Sequence, residues 1–361
     1  MSDTPTKPRW TLLLPLVWTA AFLGLAEVGL SYRAHLRGWG NWLFPSREAG
    51  ASPGAAATAP TFGPTEDFPF RSRVHAPQRP AGAPRWMITS SSHAEDLPVP
   101  AAELFPVQLE DLLRKGEPRA QVINASRSGS LLDTHTARAP ELAAAWRPEL
   151  VLLYQMSNDI RFAADLAHRG GLESAAATPQ TGSAPSEEAT ASPRASWPDR
   201  AVEQTTMYSL IKTNLTARLA PARPMPDSLG EAGDRWWEAR LIGYLDAWGK
   251  QGATPVLCTL ATSHRMPDLD RVPTGTRNTI FRFSMHLSLK GWMTTTQRWN
   301  EVIRRVAAQR SVRVIDLERE VGGRSELFRD FVHFNPKGHA RVAQVIADAM
   351  RDQTGPGGRG R

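Results

Sequence analysis

The chain has 361 residues, of which 41% are hydrophobic and 22% charged, a balance typical of a folded protein that excludes a wholly disordered chain. Its net charge of +7 comes without any zinc-finger, helix-turn-helix or RNA-binding signature, so we predict no nucleic-acid partner, and attraction to anionic lipid or polysaccharide fits the same charge. The one cysteine, Cys258, excludes an internal disulfide and a cysteine-based metal site.

The N-terminus carries a long apolar segment. Residues 10–32 read WTLLLPLVWTAAFLGLAEVGLSY, and Glu27 is the only acidic or basic residue among them. As a helix this segment would be about 34 Å long, slightly more than the roughly 30 Å hydrocarbon core of a bilayer. A cleaved signal peptide is the alternative, but its apolar region would be shorter and would end in small residues suited to cleavage. We therefore predict one transmembrane anchor over 10–32, after a short tail over 1–9.

Two further stretches have the composition of loops. Residues 33–84 form a juxtamembrane segment and a linker rich in proline and alanine, with little periodicity. Residues 170–198 are crowded with Ala, Ser, Thr, Pro and Glu and bury too little apolar surface to offset the entropy of ordering. We predict a disordered insertion there, a flexible tail over 353–361, and one domain over 85–352.

Within that domain, apolar runs alternate with segments of helical periodicity. Strands are predicted over 85–89, 121–124, 149–155, 254–260 and 312–317. Helices are predicted over 101–114, 234–250, 292–309 and 336–350, with Trp236, Trp237 and Trp248 facing the core. This alternation indicates an α/β fold whose mostly parallel central sheet is covered by helices on both faces.

Polar residues follow the predicted strands at the edge where such sheets carry their sites. Thr89-Ser90-Ser91-Ser92 ends the first strand, Gly129 lies in the loop after the second, and Asn158-Asp159 follows the third. Before the last helix, Asp330 and His333 are three residues apart, the pairing in which a carboxylate orients an imidazole base. Each motif alone also fits an ordinary polar turn or helix entry.

Together, these four segments resemble the blocks of the SGNH (GDSL-like) hydrolase superfamily, over most of the chain from residue 85 to 350. The resemblance implies a three-layer α/β/α fold and a serine esterase. It implies Ser91 as the nucleophile, His333 as the base and Asp330 as the group that orients it. The oxyanion hole would be formed by the backbone N–H groups of Ser91 and Gly129 with the Asn158 side chain.

Two blocks depart from the family pattern. The usual Gly-Asp-Ser is Thr89-Ser90-Ser91, and the glycine of Gly-x-Asn-Asp is Met156. The run of serines also leaves Ser90 as an alternative nucleophile. Bulkier residues at 89 and 156 would narrow the site or weaken catalysis.

The leading hypothesis is therefore a membrane-anchored hydrolase or O-acyltransferase that acts on an acylated glycan or lipid, with its body on the extracytoplasmic side as the resemblance implies. The alternatives are an SGNH-fold assembly protein that has lost catalysis, and a basic surface protein that binds acidic polymer. We predict no cofactor and no metal. His339 has no carboxylate or histidine cluster at ligand spacing and is expected to pack within its helix.

Overall fold

A computed structural model describes residues 61–177 and 225–351, together with Trp18, Phe22 and residues 24–26 and 28–29. The chain divides into two compact units, Met1–Ala57 with Glu187–Arg223 and Thr58–Ser186 with Pro224–Arg361. Among the described residues, no helix has the length and apolarity that crossing a bilayer requires. Most of the predicted anchor over 10–32, the tails over 1–9 and 353–361, and residues 178–198 of the predicted insertion lie outside the described residues.

The second unit is built on a parallel sheet of five strands in the order β2-β1-β3-β4-β5. The strands are β1 (Arg85–Ser90), β2 (Gln121–Asn124), β3 (Leu150–Tyr154), β4 (Thr254–Cys258) and β5 (Arg313–Ile315). β3, in the middle of the sheet, is buried at every position, which is why its sequence is an unbroken apolar run. The predicted parallel α/β sheet is confirmed.

Ten described helices connect and cover these strands: α1 (Ser92–Glu95), α2 (Phe105–Arg114), α3 (Leu132–Trp146), α4 (Ser157–His168), α5 (Leu172–Ala177), α6 (Gly230–Lys250), α7 (Thr274–Phe283), α8 (Leu289–Arg310), α9 (Leu317–Val321) and α10 (Pro336–Arg351). Short 3₁₀ turns lie at Ala101–Glu103, Met266–Arg271 and Ser325–Leu327. The predicted helices near residues 234, 292 and 336 are present with slightly different ends.

The tryptophans of α6 pack in the core, as predicted. Trp236, Trp237 and Trp248 are each no more than 1% exposed. The ring of Trp237 stacks on that of Trp299 from α8, with centroids 4.8 Å apart and planes 4° from parallel. Trp236 and Trp237 join α6 to α8 through Trp299, and all three buried side chains are part of the core rather than a sugar or lipid site.

The predicted linker over 33–84 extends too far, because residues 61–84 belong to the folded domain. Phe68 and Phe70 are buried, and each ring meets the edge or face of Trp146 at a centroid distance of 5.4 Å. His75 is also buried and pairs with Glu110 of α2 at 2.7 Å. A few aromatic contacts thus fix a segment whose composition resembles a linker.

The predicted insertion over 170–198 also begins too early. Residues Leu172–Ala177 form α5, and Leu172 is 5% exposed. Glu173 pairs with Arg235 of α6 at 2.9 Å. The alanine-rich composition that suggested disorder is equally compatible with a helix once a neighbouring helix covers one face.

Candidate active site

The turn before α10 holds a carboxylate and an imidazole in contact. Asp330 Oδ1 accepts hydrogen bonds from the backbone N–H groups of Val332 and His333, at 2.9 and 2.8 Å. Its other oxygen, Oδ2, lies 2.7 Å from His333 Nδ1. Both side chains remain partly accessible, at 28% for Asp330 and 23% for His333. The turn therefore fixes the carboxylate, and the carboxylate fixes the ring.

This pairing determines the tautomer and the basicity of His333. An ionised carboxylate only accepts hydrogen bonds, so Nδ1 carries the proton and Nε2 presents its lone pair. Burial by itself lowers the pKa of His333, but the hydrogen bond and the charge of Asp330 outweigh it, and the pKa lies above the ordinary value. Burial likewise opposes the ionisation of Asp330, but His333 and the two backbone N–H groups hold its pKa well below the usual range.

The hydroxyl that faces this base belongs to Ser92. His333 Nε2 lies 2.8 Å from Ser92 Oγ, within hydrogen-bond reach for proton transfer. Ser92 is the first residue of α1, which begins directly beyond the carboxyl end of β1. Residues 241 positions apart in sequence thus meet at the edge of the sheet where parallel α/β folds form their sites.

Neither Ser91, the nucleophile predicted from the sequence, nor its alternative Ser90 is the serine whose hydroxyl His333 contacts. Ser90 still pairs with Tyr154 in the sheet and donates its hydroxyl proton to the Tyr154 carbonyl. Ser91 is fully buried, and its hydroxyl lies 2.9 Å from His93 Nδ1. Because β1 continues to Ser90, the chain leaves the sheet one residue later than predicted, and Ser92 is the serine that reaches His333.

Thr89 and Met156, the two departures from the family pattern in the register predicted from the sequence, are directed into the core. Thr89 is fully buried, and its hydroxyl lies 2.7 Å from that of Tyr244. Met156 is also fully buried, among the apolar residues of the core. The prediction that bulk at 89 and 156 would narrow the site is not supported, because neither side chain is exposed at the edge of the sheet.

The predicted oxyanion donors follow the next two strands, with Gly129 in the loop after β2 and Asn158 in the first turn of α4 after β3. Gly129 has a φ of +79°, a left-handed conformation that favours glycine. Asn158 Nδ2 donates to the Ser130 carbonyl at 3.0 Å, which uses one of its two amide protons. The loop after β2 also contacts the end of β1, because the N–H of Arg127 donates to the Ser90 carbonyl at 3.0 Å.

Asp159, the last residue of the third block, has a structural position. It is fully buried, and its carboxylate accepts from the N–H of Leu132 at 2.9 Å and from Gln155 Nε2 at 2.6 Å. Burial raises the pKa of this carboxyl to about 7 against the effect of both donors. Asp159, in α4, therefore connects this helix to the start of α3.

A second set of contacts ties the Ser92 turn to the Asp330 turn. Asp96, directly after α1, is 1% exposed and pairs with Arg329 at 2.9 Å. His339 of α10 is fully buried, with Nε2 3.2 Å from Asp96 Oδ2. Its Nδ1 accepts from the N–H of Phe105 at 3.2 Å. His339 thus holds the packing position that the sequence predicted, and it links α10 to the turn after α1.

A cavity of about 350 Å³ lies beside the loop after β4. This loop contacts the turn before α10, since the N–H of Ser263 donates to the Phe331 carbonyl at 2.9 Å and the His264 ring lies parallel to that of Phe331. Its lining mixes hydroxyl, amide and charged groups with two thioethers: Thr262, His264, Arg265, Met266, Pro267, Met293, Thr296, Gln297 and Glu318.

The sequence missed Ser92 as the contacting hydroxyl, and it did not assign roles to His93 and Asp96. His93 had a signal, since it directly follows the serine run. Asp96 had none, because its partners Arg329 and His339 are more than 230 residues away.

No protein-family model matches the sequence, and a search of curated proteins found no match. Among solved structures, the chain is similar to a GDSL-like lipase from Bacteroides thetaiotaomicron, at 11% identity over 76% of this chain and 92% of that one, with a TM-score of 0.42. A lipase/acylhydrolase from Enterococcus faecalis matches at 14% identity over 74% of this chain and 96% of that one, with a TM-score of 0.41. A variant of an acetyl xylan esterase from Geobacillus stearothermophilus matches at 12% identity over 74% and 94%, with a TM-score of 0.43.

Proposed function

We propose that this protein is a serine esterase or O-acyltransferase of the SGNH type, with Ser92 as nucleophile, His333 as general base and Asp330 as its orienting carboxylate. The observation that carries the proposal is the continuous hydrogen-bonded series from Ser92 Oγ to His333 Nε2, at 2.8 Å, and from His333 Nδ1 to Asp330 Oδ2, at 2.7 Å. This arrangement activates a hydroxyl for attack on an acyl carbon. It requires no metal and no cofactor.

In the first half of the reaction, Ser92 Oγ attacks the ester carbonyl carbon while His333 Nε2 takes the hydroxyl proton. The tetrahedral intermediate collapses, the bond to the alcohol oxygen breaks, and His333 returns the proton to that oxygen. In the second half, water or an acceptor hydroxyl attacks the acyl-Ser92 ester and passes its proton through His333 to Ser92 Oγ. Asp330 stabilises the imidazolium that forms in each half.

The negative oxygen of each tetrahedral intermediate needs hydrogen-bond donors. We assign this role to the backbone N–H groups of Ser92 and Gly129 and to the second amide proton of Asn158. Ser92 replaces Ser91 in the set because the hydroxyl and the N–H of one residue then face the same carbonyl group. Loss of one such donor typically lowers the rate by about 10²–10³-fold.

We propose an acylated glycan or lipid at the extracytoplasmic membrane surface as the substrate, with the chain held there by a helix over 10–32. The described residues of that segment are helical, and Trp18, Phe22 and Leu25 are each about 70% exposed, as a lipid-facing helix requires.

The test is labelling of the full chain with a fluorophosphonate probe, followed by mass spectrometry of the modified peptide and by turnover of p-nitrophenyl acetate. We expect the adduct on Ser92. The variant Ser92→Ala should lose the adduct and at least about 10³-fold in turnover.

Ser90→Ala is the matched control, since it removes a nearby hydroxyl that donates to the Tyr154 carbonyl and is not the one that His333 contacts. Ser92 should still be labelled in this variant. An adduct on Ser91 or Ser90, or equal turnover by Ser92→Ala and the unmodified chain, would contradict the proposed nucleophile.

A further inference from the structure

A second histidine stacks on the candidate base, His333. His93, in α1, is fully buried. Its ring is stacked on that of His333, with centroids 5.6 Å apart and planes 26° from parallel. A buried imidazole next to the residue that must gain and lose a proton requires an explanation beyond packing, because an apolar ring would fill the same space without polar atoms to satisfy.

Both ring nitrogens of His93 have hydroxyl partners. Nδ1 lies 2.9 Å from Ser91 Oγ, and Nε2 lies 2.9 Å from Ser157 Oγ. Ser157 is 2% exposed, so both contacts are shielded from water. A neutral imidazole has one donor and one acceptor, and each hydroxyl can be either, so the series Ser91–His93–Ser157 is satisfied in both tautomers.

The two ends of this series lie beside functional groups. Ser91 precedes Ser92, whose hydroxyl contacts His333, and Ser157 precedes Asn158, the proposed oxyanion donor. The series therefore joins the turn after β1 to the first turn of α4. The paired strands β1 and β3 already hold these two segments together. The series adds a direct side-chain link between the segment that carries Ser92 and the segment that carries Asn158.

We propose that His93 is a positioning residue of the esterase site, which holds Ser92 and Asn158 at a fixed separation by bridging Ser91 and Ser157. This inference rests on the proposed function and extends it. His93 does not touch the reacting atoms. It acts through its two neighbours, and the benefit is a nucleophile and an oxyanion donor that are aligned before substrate binds.

The charge state of His93 is consistent with this role. Burial lowers its pKa to about 3, an effect that the nearby His333 reinforces and that Asp330 and Asp96 only partly offset. His93 therefore remains neutral while His333 alternates between imidazole and imidazolium. A neutral ring can stack on the imidazolium without adding a positive charge to the site.

The test is a comparison of His93→Phe, Ser157→Ala and the double variant in the full chain, with p-nitrophenyl acetate turnover and the rate of fluorophosphonate labelling at Ser92 as readouts. Phe keeps a ring in the stack and removes both hydrogen bonds. We expect kcat to fall about 10–10²-fold with KM little changed, as a displaced reacting group predicts. Because both changes break one bridge, the double variant should lose no more than His93→Phe alone.

His75→Phe is the matched control, since it also removes a buried, hydrogen-bonded imidazole, but one that pairs with Glu110 away from the site. It should lower the unfolding temperature as His93→Phe does and leave kcat unchanged. If His93→Phe does not fold, His93→Gln replaces it: the Gln amide reaches the Nε2 position, keeps the bond to Ser157, and should retain more activity than His93→Ala.

Three outcomes would overturn the proposal: kcat of folded His93→Phe within two-fold of the unmodified chain, losses that multiply in the double variant, or His93→Gln no better than His93→Ala. A different result would show that the proposed function itself is wrong. Without any adduct on Ser92 in the unmodified chain, the esterase itself is wrong. With a normal adduct on Ser92 in the unmodified chain and any of the three outcomes above, only the role of His93 is wrong.

Discussion

His333 contacts Asp330 through one nitrogen and Ser92 through the other, and these contacts assign different roles to its two sides. The carboxylate side raises the pKa of the ring, so its lone pair is a stronger base than that of a free imidazole. Because of this higher pKa, the ring stays protonated up to a higher pH than a free imidazole does. While it is protonated, it cannot accept the Ser92 proton. Activity should therefore rise with pH through a midpoint above 6.5, the ordinary pKa of histidine.

Asp330→Asn tests this relation. The amide lacks the charge that raises the pKa of His333, so the rise of kcat/KM should move to lower pH. The plateau should fall by about 10³–10⁴-fold, because the amide no longer enforces the tautomer with a proton on Nδ1. The measurement is kcat/KM for p-nitrophenyl acetate from pH 5 to 9.

Asp348→Asn, on the exposed face of α10, is the control for the loss of one carboxylate and should leave the profile unchanged. A plateau in Asp330→Asn equal to that of the unmodified chain would show that Asp330 does not orient the base.

At the scale of elements, the composition of residues 61–84 predicted a linker, whereas this segment belongs to the folded domain. Its aromatic residues pack on Trp146 of α3. Its Arg71 donates to the carbonyls of Asp96 and Val99 at 2.9 and 2.7 Å, directly after the helix that begins with Ser92. The segment thus stabilises both the core and the turn that carries the candidate nucleophile.

Phe68→Ala should lower the free energy of unfolding by about 3–5 kcal/mol, since it leaves a cavity at a fully packed position. Val74→Ala in the same segment is the matched comparison. Val74 is 38% exposed, and its substitution should cost less than about 1 kcal/mol. Urea unfolding of the chain from residue 58 to 361 measures both. Equal effects would mean that residues 61–84 are not part of the folded domain.

At the scale of the whole molecule, the proposed anchor over 10–32 and the net charge of +7 offer two ways to reach a membrane. They differ in their response to salt. Electrostatic attraction between exposed charges is screened within about 3 Å at 1 M salt, whereas an inserted helix is unaffected. The full chain should therefore remain with the membrane fraction in 1 M salt, and a chain beginning at Thr58 should be released.

Release of the full chain in high salt would contradict the anchor and favour surface attraction to anionic lipid. Retention of the chain that begins at Thr58 would instead place the membrane contact within the folded domain. Neither result bears on Ser92, so localisation and chemistry are tested independently.

The sequence by itself determined the alternation of strands and helices, because burial on both faces of a parallel sheet leaves continuous apolar runs such as that of β3. It also determined the Asp330–His333 pair, since three residues of one turn are enough to bring the two side chains together. Only the tertiary structure decided which serine meets His333. The end of β1 depends on the pairing of Ser90 with Tyr154, 64 residues away, and a shift of one residue turns a different side chain toward the site. The bridge formed by His93 and the packing of residues 61–84 depend in the same way on contacts between distant parts of the chain, which local patterns do not encode.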